Sequence, residues 1–184
     1  MLAALGLTFT VDAADADERI LPGEGAEDFV RRLARDKARI VARRHPGSWV
    51  LAADTVVVLD GEVLGKPEDV NGAVSMLTRL SGRGHEVWSG FCCCRGAGEE
   101  CHCQAVMTAV QFAVLDGPAI QAYVSTGDPL DKAGGYGIQS FGGFMVREIS
   151  GSYSNVVGLP LTEVVAVLLG LGVVRPAPAA GDGY

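Results

Sequence analysis

The sequence predicts an α/β fold, a mixed twisted sheet flanked by helices, and three observations carry that expectation. Residues 26–44 repeat their apolar positions at helical spacing. Residues 49–59 are apolar and β-branched almost without interruption, and Asp60-Gly61 joins that run to Val63-Leu64. The first is the pattern of an amphipathic helix, the second that of a strand covered on both faces, and the third a tight hairpin. Helices alternating with strands, with a hairpin among them, give the mixed sheet.

In the first helix the periodic residues are Phe29, Val30, Leu33, Ala34, Ile40 and Val41, and His45-Pro46-Gly47 supplies the stop. Lys37 falls inside that stripe, four residues after Leu33, where a core residue is expected; a packed stem with its ammonium in water is one way to place it. The hairpin's return strand ends at Gly65-Lys66-Pro67. A second helix is expected over 70–80, with Ala73, Val74 and Leu77 inward and Ser81-Gly82 as its end. Strands over 85–94 and 101–115, joined by a polar loop at 95–100, should pair. Pro118 opens a short helix reaching Thr126, residues 127–143 form a glycine-rich passage, and 144–149 read as another strand. Pro160 stands at the first turn of a last helix that buries Leu161, Val164, Val165, Leu168 and Leu171. Residues 1–174 then form one domain, and 175–184, rich in Pro, Ala and Gly, a disordered tail.

Composition narrows the function. The 184 residues, 48% hydrophobic and 20% charged, suffice for one core and fit neither a disordered nor a fibrous class. A formal net charge of −7 repels nucleic acid and anionic membranes, so neither is an expected partner. A few lysines converging on one cleft can still reverse the field locally for a small phosphate. No stretch is long and apolar enough to span a bilayer, and residues 1–7 lack the flank and cleavage pattern of a secretory leader, so a cytoplasmic location is expected. The cysteines Cys92, Cys93, Cys94, Cys101 and Cys103, an odd number in one stretch, read as buried reduced thiols. A zinc site including His102 is set aside, because successive strand residues point to opposite faces and neither group has knuckle spacing.

Some residues resist a purely structural reading. Asp54 interrupts a core strand, where burying a carboxylate costs several kcal/mol, roughly, unless it is paired or metal-bound. Residues 61–67 superficially resemble a phosphate-binding loop, but the second glycine comes one residue early, Pro67 replaces the hydroxyl residue and no helix starts there to aim its amides at a phosphate. The run Asp131-Lys132-Ala133-Gly134-Gly135-Tyr136-Gly137-Ile138-Gln139 is either a simple turn or a place where backbone approaches a ligand closely.

Leu51-Ala52-Ala53-Asp54-Thr55-Val56-Val57, Gly65-Lys66-Pro67, Leu80-Ser81-Gly82 with His85-Glu86-Val87, the Asp131 to Gln139 run, and Gly151-Ser152-Tyr153 with Val157-Gly158-Leu159-Pro160-Leu161 stand in the order of the signature blocks of the Maf family. The resemblance covers about residues 2–172. It implies a two-lobed α/β fold with a central cleft, related to the inosine triphosphate pyrophosphatases, commonly a homodimer. It also implies hydrolysis of nucleoside triphosphates to the monophosphate and pyrophosphate, with Mg²⁺ or Mn²⁺. By resemblance the catalytic carboxylate is Asp54, the phosphate-contacting lysines are Lys37 and Lys66, and Glu18 joins Asp54 in holding the metal. Thr55 and Gln139 match the positions that separate subgroups by base, in forms similar to the dTTP/UTP-cleaving subgroup.

Family members open with a Ser-x-Ser-Pro-Arg-Arg loop that grips the triphosphate, which this sequence lacks before Met1-Leu2-Ala3. The expectation is an N-terminally shortened domain in which residues 1–7 are the second half of a helix. Two alternatives accompany it: a catalytically weak binding protein linked to septum formation, and a pyrophosphatase for purine or modified nucleotides.

Overall fold

The structure, a computed structural model, describes residues 1–96 and 100–175. Helix α1 (Ala26–Arg44) carries Glu27 and Asp28 in its first turn and Arg43 and Arg44 in its last, each sign complementing the helix dipole. It buries Phe29, Val30, Leu33, Ala34, Ala38, Val41 and Ala42. Ala38 and Ala42 join the stripe where Ile40 was expected, and Ile40 is only half-buried.

Strand β1 (Val50–Leu59) turns through Asp60 and Gly61, both at positive φ, into β2 (Glu62–Leu64). Left-handed conformation at both central residues matches the right-handed twist of the flanking strands, and glycine accepts it without a Cβ clash. Helix α2 (Val70–Leu80) is capped by the Asp69 carboxylate, which accepts from the Gly72 amide. Strands β3 (Gly84–Arg95) and β4 (Glu100–Phe112) pair along their whole length. The last strand, β5 (Val146–Ser150), pairs with β4 across a bulge at Gln111/Phe112. Strand β4 ends at Phe112 rather than at residue 115. Helices α3 (Gly117–Val124), α4 (Tyr153–Val157) and α5 (Leu161–Gly170) complete the chain.

The sheet order is β2-β1-β3-β4-β5, and every pairing in it is antiparallel. Side-chain alternation divides its faces. Val56 and Val58 pack under Phe29, Val30 and Leu33, so α1 covers one face. On the other, Val57, Leu59, Val87, Val110 and Phe112 meet α2 and α3 at one end, while Phe91 and Cys93 meet Val164 and Leu168 of α5 at the other. The sheet is thereby flanked by helices on both faces in an α/β arrangement. No helix of the described residues is long and apolar enough to cross a membrane.

Two expectations are corrected. Residues 1–7 form no α-helical half but a single 3-10 turn, Leu2–Leu5, which Gly6 ends in a left-handed conformation at φ 76°. The cysteines are not all free thiols: the register sets Cys92 opposite Cys103 and Cys94 opposite Cys101, and both pairs are disulfide-bonded, leaving Cys93 as the buried free thiol. Residues i and i+2 of a strand share a face, so the Cys-x-Cys steps on β3 and β4 present four sulfurs to one side. The expected tail lies almost wholly outside the described residues, as do residues 97–99 of the β3–β4 connection.

Candidate active site

Strand β2 pairs only with Val57, Val58 and Leu59, so residues 50–56 of β1 have no strand partner on that edge among the described residues. A cleft of about 740 Å³ lies across this edge, within the range of small-ligand sites. Glu18, Lys37, Asp54, Thr55, Lys66 and Gln139 all line it.

Asp54 faces α1. Lys37 Nζ donates to Asp54 Oδ1 at 2.6 Å and pairs with Glu18 Oε1 at 2.7 Å, so the ammonium lies between two carboxylates. Lys37 is thus not a snorkelling surface residue; its side chain is 19% exposed. Burial pushes the Lys37 ammonium down, but the hydrogen bonds to Asp54 and Glu18 outweigh it and hold the pKa above that of an ordinary lysine. At Asp54 burial wins: it raises the carboxyl above the usual carboxylate value, and the Lys37 hydrogen bond and charge offset this only in part. Asp54 Oδ2 has no hydrogen-bond partner among the described residues.

Glu18 reaches the site on a segment without regular structure that is strapped along α1. Arg32 holds Glu24 through Nε at 2.6 Å and Nη2 at 2.8 Å and donates to the Arg19 carbonyl, while Arg44 holds Asp12 and the Ala13 carbonyl. Lys66, exposed at the end of the hairpin, has no ion-pair partner among the described residues. The cleft carries three lysines, Lys37, Lys66 and Lys132, against four carboxylates, Glu18, Asp54, Asp128 and Asp131.

Thr55 faces the opposite side of the sheet from Asp54. Its hydroxyl is 2.8 Å from Ser89 Oγ and 3.4 Å from the Gly158 carbonyl, tying β1 to the end of α4. Ser89 in turn donates to the Asn155 carbonyl, and the buried Asn155 amide donates to Val87 O and Thr108 Oγ1. Thr55 therefore belongs to the polar network that fixes the cleft floor.

Gln139 is exposed on a loop that two anchors hold. Asp128 accepts from the hydroxyls of Tyr123 and Ser140 and pairs with Lys132. Buried Tyr136 meets His85 Nε2 at 2.8 Å, its ring edge-on to Phe112. Burial pushes the His85 pKa down to about 4, from an ordinary value of about 6.5. The stability this neutral imidazole contributes is present above pH ~6.5 and lost as pH falls through about 4. The melting temperature of the wild type is expected to fall more steeply over that window than that of His85→Gln; equal slopes would remove His85 from the acid response.

Sequence reasoning missed Gly90, the register partner of Asp54. A Cβ there would stand 2.3 Å from the Val30 carbonyl oxygen of α1. Its only sequence signal is a glycine in the interior of a strand, which marks close backbone approach. It also missed Asn155, whose partners Val87 and Thr108 lie 68 and 47 residues away, and Asp128, which precedes the glycine-rich run and is tied to Tyr123, Lys132 and Ser140.

The chain matches the family model described as Maf-like protein over residues 1–171. It is 53% identical over 176 residues to a dTTP/UTP pyrophosphatase of Myxococcus xanthus (strain DK1622), covering 96% of this chain and 88% of that protein. A dTTP/UTP pyrophosphatase of Anaeromyxobacter dehalogenans (strain 2CP-C) is 54% identical over 179 residues, 96% of this chain and 90% of that one. One from Geobacter sulfurreducens (strain ATCC 51573 / DSM 12127 / PCA) is 49% identical over 172 residues, 94% and 90%. With a family match over nearly all its length and relatives at about half identity, the chain belongs to the Maf-like protein family.

Proposed function

We propose that this chain hydrolyses dTTP and UTP between the α- and β-phosphates, releasing the nucleoside monophosphate and pyrophosphate. The observation that carries it is a half-buried carboxylate, Asp54, held through one oxygen by Lys37 in a nucleotide-sized cleft. Relatives at 53–54% identity bear the name dTTP/UTP pyrophosphatase. Asp54 Oδ2 takes the proton of the attacking water, and the raised pKa makes this carboxylate a stronger base than an exposed one. Lys37 and Lys66 offset phosphate charge, and Gln139, with donor and acceptor on one amide, reads the pyrimidine edge.

Three lysines against four carboxylates leave the charge of a triphosphate uncompensated, and Glu18 and Asp54, each bound to Lys37 through one oxygen, keep their second oxygens for a further cation in the same cleft. Carboxylate oxygens suit Mg²⁺ or Mn²⁺, so these two residues fit a divalent ion and would hold it. When bound, the ion neutralises charge developing on the phosphate oxygens. A homodimer and a cytoplasmic location belong to the same reading and rest on the family resemblance, with the acidic charge of the chain consistent with a small-molecule substrate.

Incubation with dTTP or UTP and Mg²⁺ is expected to yield pyrophosphate as the first product; orthophosphate in its place would move the cleaved bond and overturn the proposal. Gln139→Ala is expected to reduce the preference for dTTP over GTP, measured as a ratio of kcat/KM, by about tenfold, the worth of a hydrogen bond to the base. An unchanged ratio would take base reading away from Gln139.

A further inference from the structure

The four sulfurs of Cys92, Cys94, Cys101 and Cys103 lie on the α1-facing side of the β3–β4 hairpin. They pack with Ala34, Ala38 and Ala42, apart from the acidic cleft. These alanines are the smallest side chains on that face of α1, and they leave the space above the hairpin to the sulfurs. The sulfurs of Cys92, Cys94 and Cys101 all lie within 4.8 Å of one another. Cys92 Sγ and Cys94 Sγ, which share no bond, are 3.7 Å apart. Two ordinary cross-strand disulfides need no such approach, since residues i and i+2 of a strand stand about 7 Å apart. A tetrahedral thiolate site does need it: with metal–sulfur bonds near 2.3 Å its sulfurs sit about 3.8 Å from one another.

We propose that the reduced hairpin is a four-cysteine site for a soft divalent cation of the zinc class, and that the two disulfides are the alternative, metal-free form of the same cluster, reached when a small-molecule disulfide takes two electrons from each cysteine pair, leaves as two thiols and the cation is released. Binding exchanges thiol protons for metal–sulfur bonds, with Zn²⁺ taking the place of the protons released to water. Entry is from the β4 side, where Cys101 and Cys103 are only half-buried, whereas Cys92 and Cys94 are sealed beneath α1. Cys93 is not part of it. It points to the opposite face, packs with Val164 and Leu168, and burial pushes its thiol up to about 11, so it stays protonated. The site stands on its own geometry and does not depend on the nucleotide chemistry.

The full-length protein is reduced with a water-soluble phosphine, which gives two electrons to each disulfide and leaves as the phosphine oxide. It is then loaded with Zn²⁺ or Co²⁺ under nitrogen and desalted. A single equivalent of Zn²⁺ is expected to remain, and Co²⁺ is expected to give the intense visible bands and sulfur-to-metal charge transfer of a tetrahedral thiolate site. Cys94→Ser/Cys103→Ser, which removes one ligand from each strand and breaks both disulfides, should lose the charge-transfer band and the retained metal while keeping its pyrophosphate release. Cys93→Ala should keep all three. No retained Zn²⁺ in the reduced wild type, Co²⁺ without charge transfer, or retention undiminished in the double variant would each overturn the proposal, the last by placing the metal in the acidic cleft.

Discussion

Asp54→Asn is expected to fold, to melt no lower than the wild type at neutral pH, and to lose turnover by about two orders of magnitude or more. The two halves of this result have one cause. The folded state raises the Asp54 carboxyl because burial penalises its charge more than Lys37 compensates. A group shifted upward on folding contributes stability below its unfolded pKa and loses it as pH rises through the folded one, so at neutral pH the wild type bears the cost of the charge. An amide of the same shape removes that cost and still accepts from Lys37, which keeps Glu18. It cannot take a proton from water. The acid limb of kcat/KM in the wild type should lie above the ordinary carboxylate range, and Asn should abolish it. Near-normal turnover by a folded Asp54→Asn protein would leave this carboxylate a structural role alone.

Gly90→Ala is expected to cost both stability and activity. The added methyl would stand 2.3 Å from the Val30 carbonyl oxygen and 2.7 Å from the Arg31 amide nitrogen, both backbone atoms of α1. No rotamer change relieves such a contact, so the helix retreats by about 1 Å at a cost of about 3 kcal/mol, at the upper end for overpacking. Lys37 lies on the same helix two turns on, and displacement by about 1 Å in a catalytic arrangement can cost about 100-fold in rate. Gly170→Ala, in α5 where a Cβ meets nothing within 4 Å, is the control and should melt no lower than the wild type and leave activity unchanged. Thermal melting and pyrophosphate release measured on both variants decide it; a Gly90→Ala protein that melts and turns over like the wild type would mean that α1 is not seated against β3 as described.

What the sequence determined by itself was local. Helix α1, strand β1, the Asp60-Gly61 turn and helix α2 are written in periodicity and turn chemistry, which act within a few residues, and the structure places each within a residue or two of its expected span. Asp54 was conspicuous for the same reason, as a charge inside an apolar run. The tertiary structure alone decided how these pieces meet. Periodicity left Lys37 between a packed stem and a ligand-facing ammonium, because its partners Asp54 and Glu18 lie 17 and 19 residues away on other segments. The hydrogen-bond partners of Thr55, Ser89 and Gly158, lie 34 and 103 residues away, beyond any local pattern. The cysteines looked unpaired because only the β3–β4 register sets Cys92 against Cys103 and Cys94 against Cys101. Register and helix docking are set by burial summed over the whole sheet, a quantity that no short window of sequence contains.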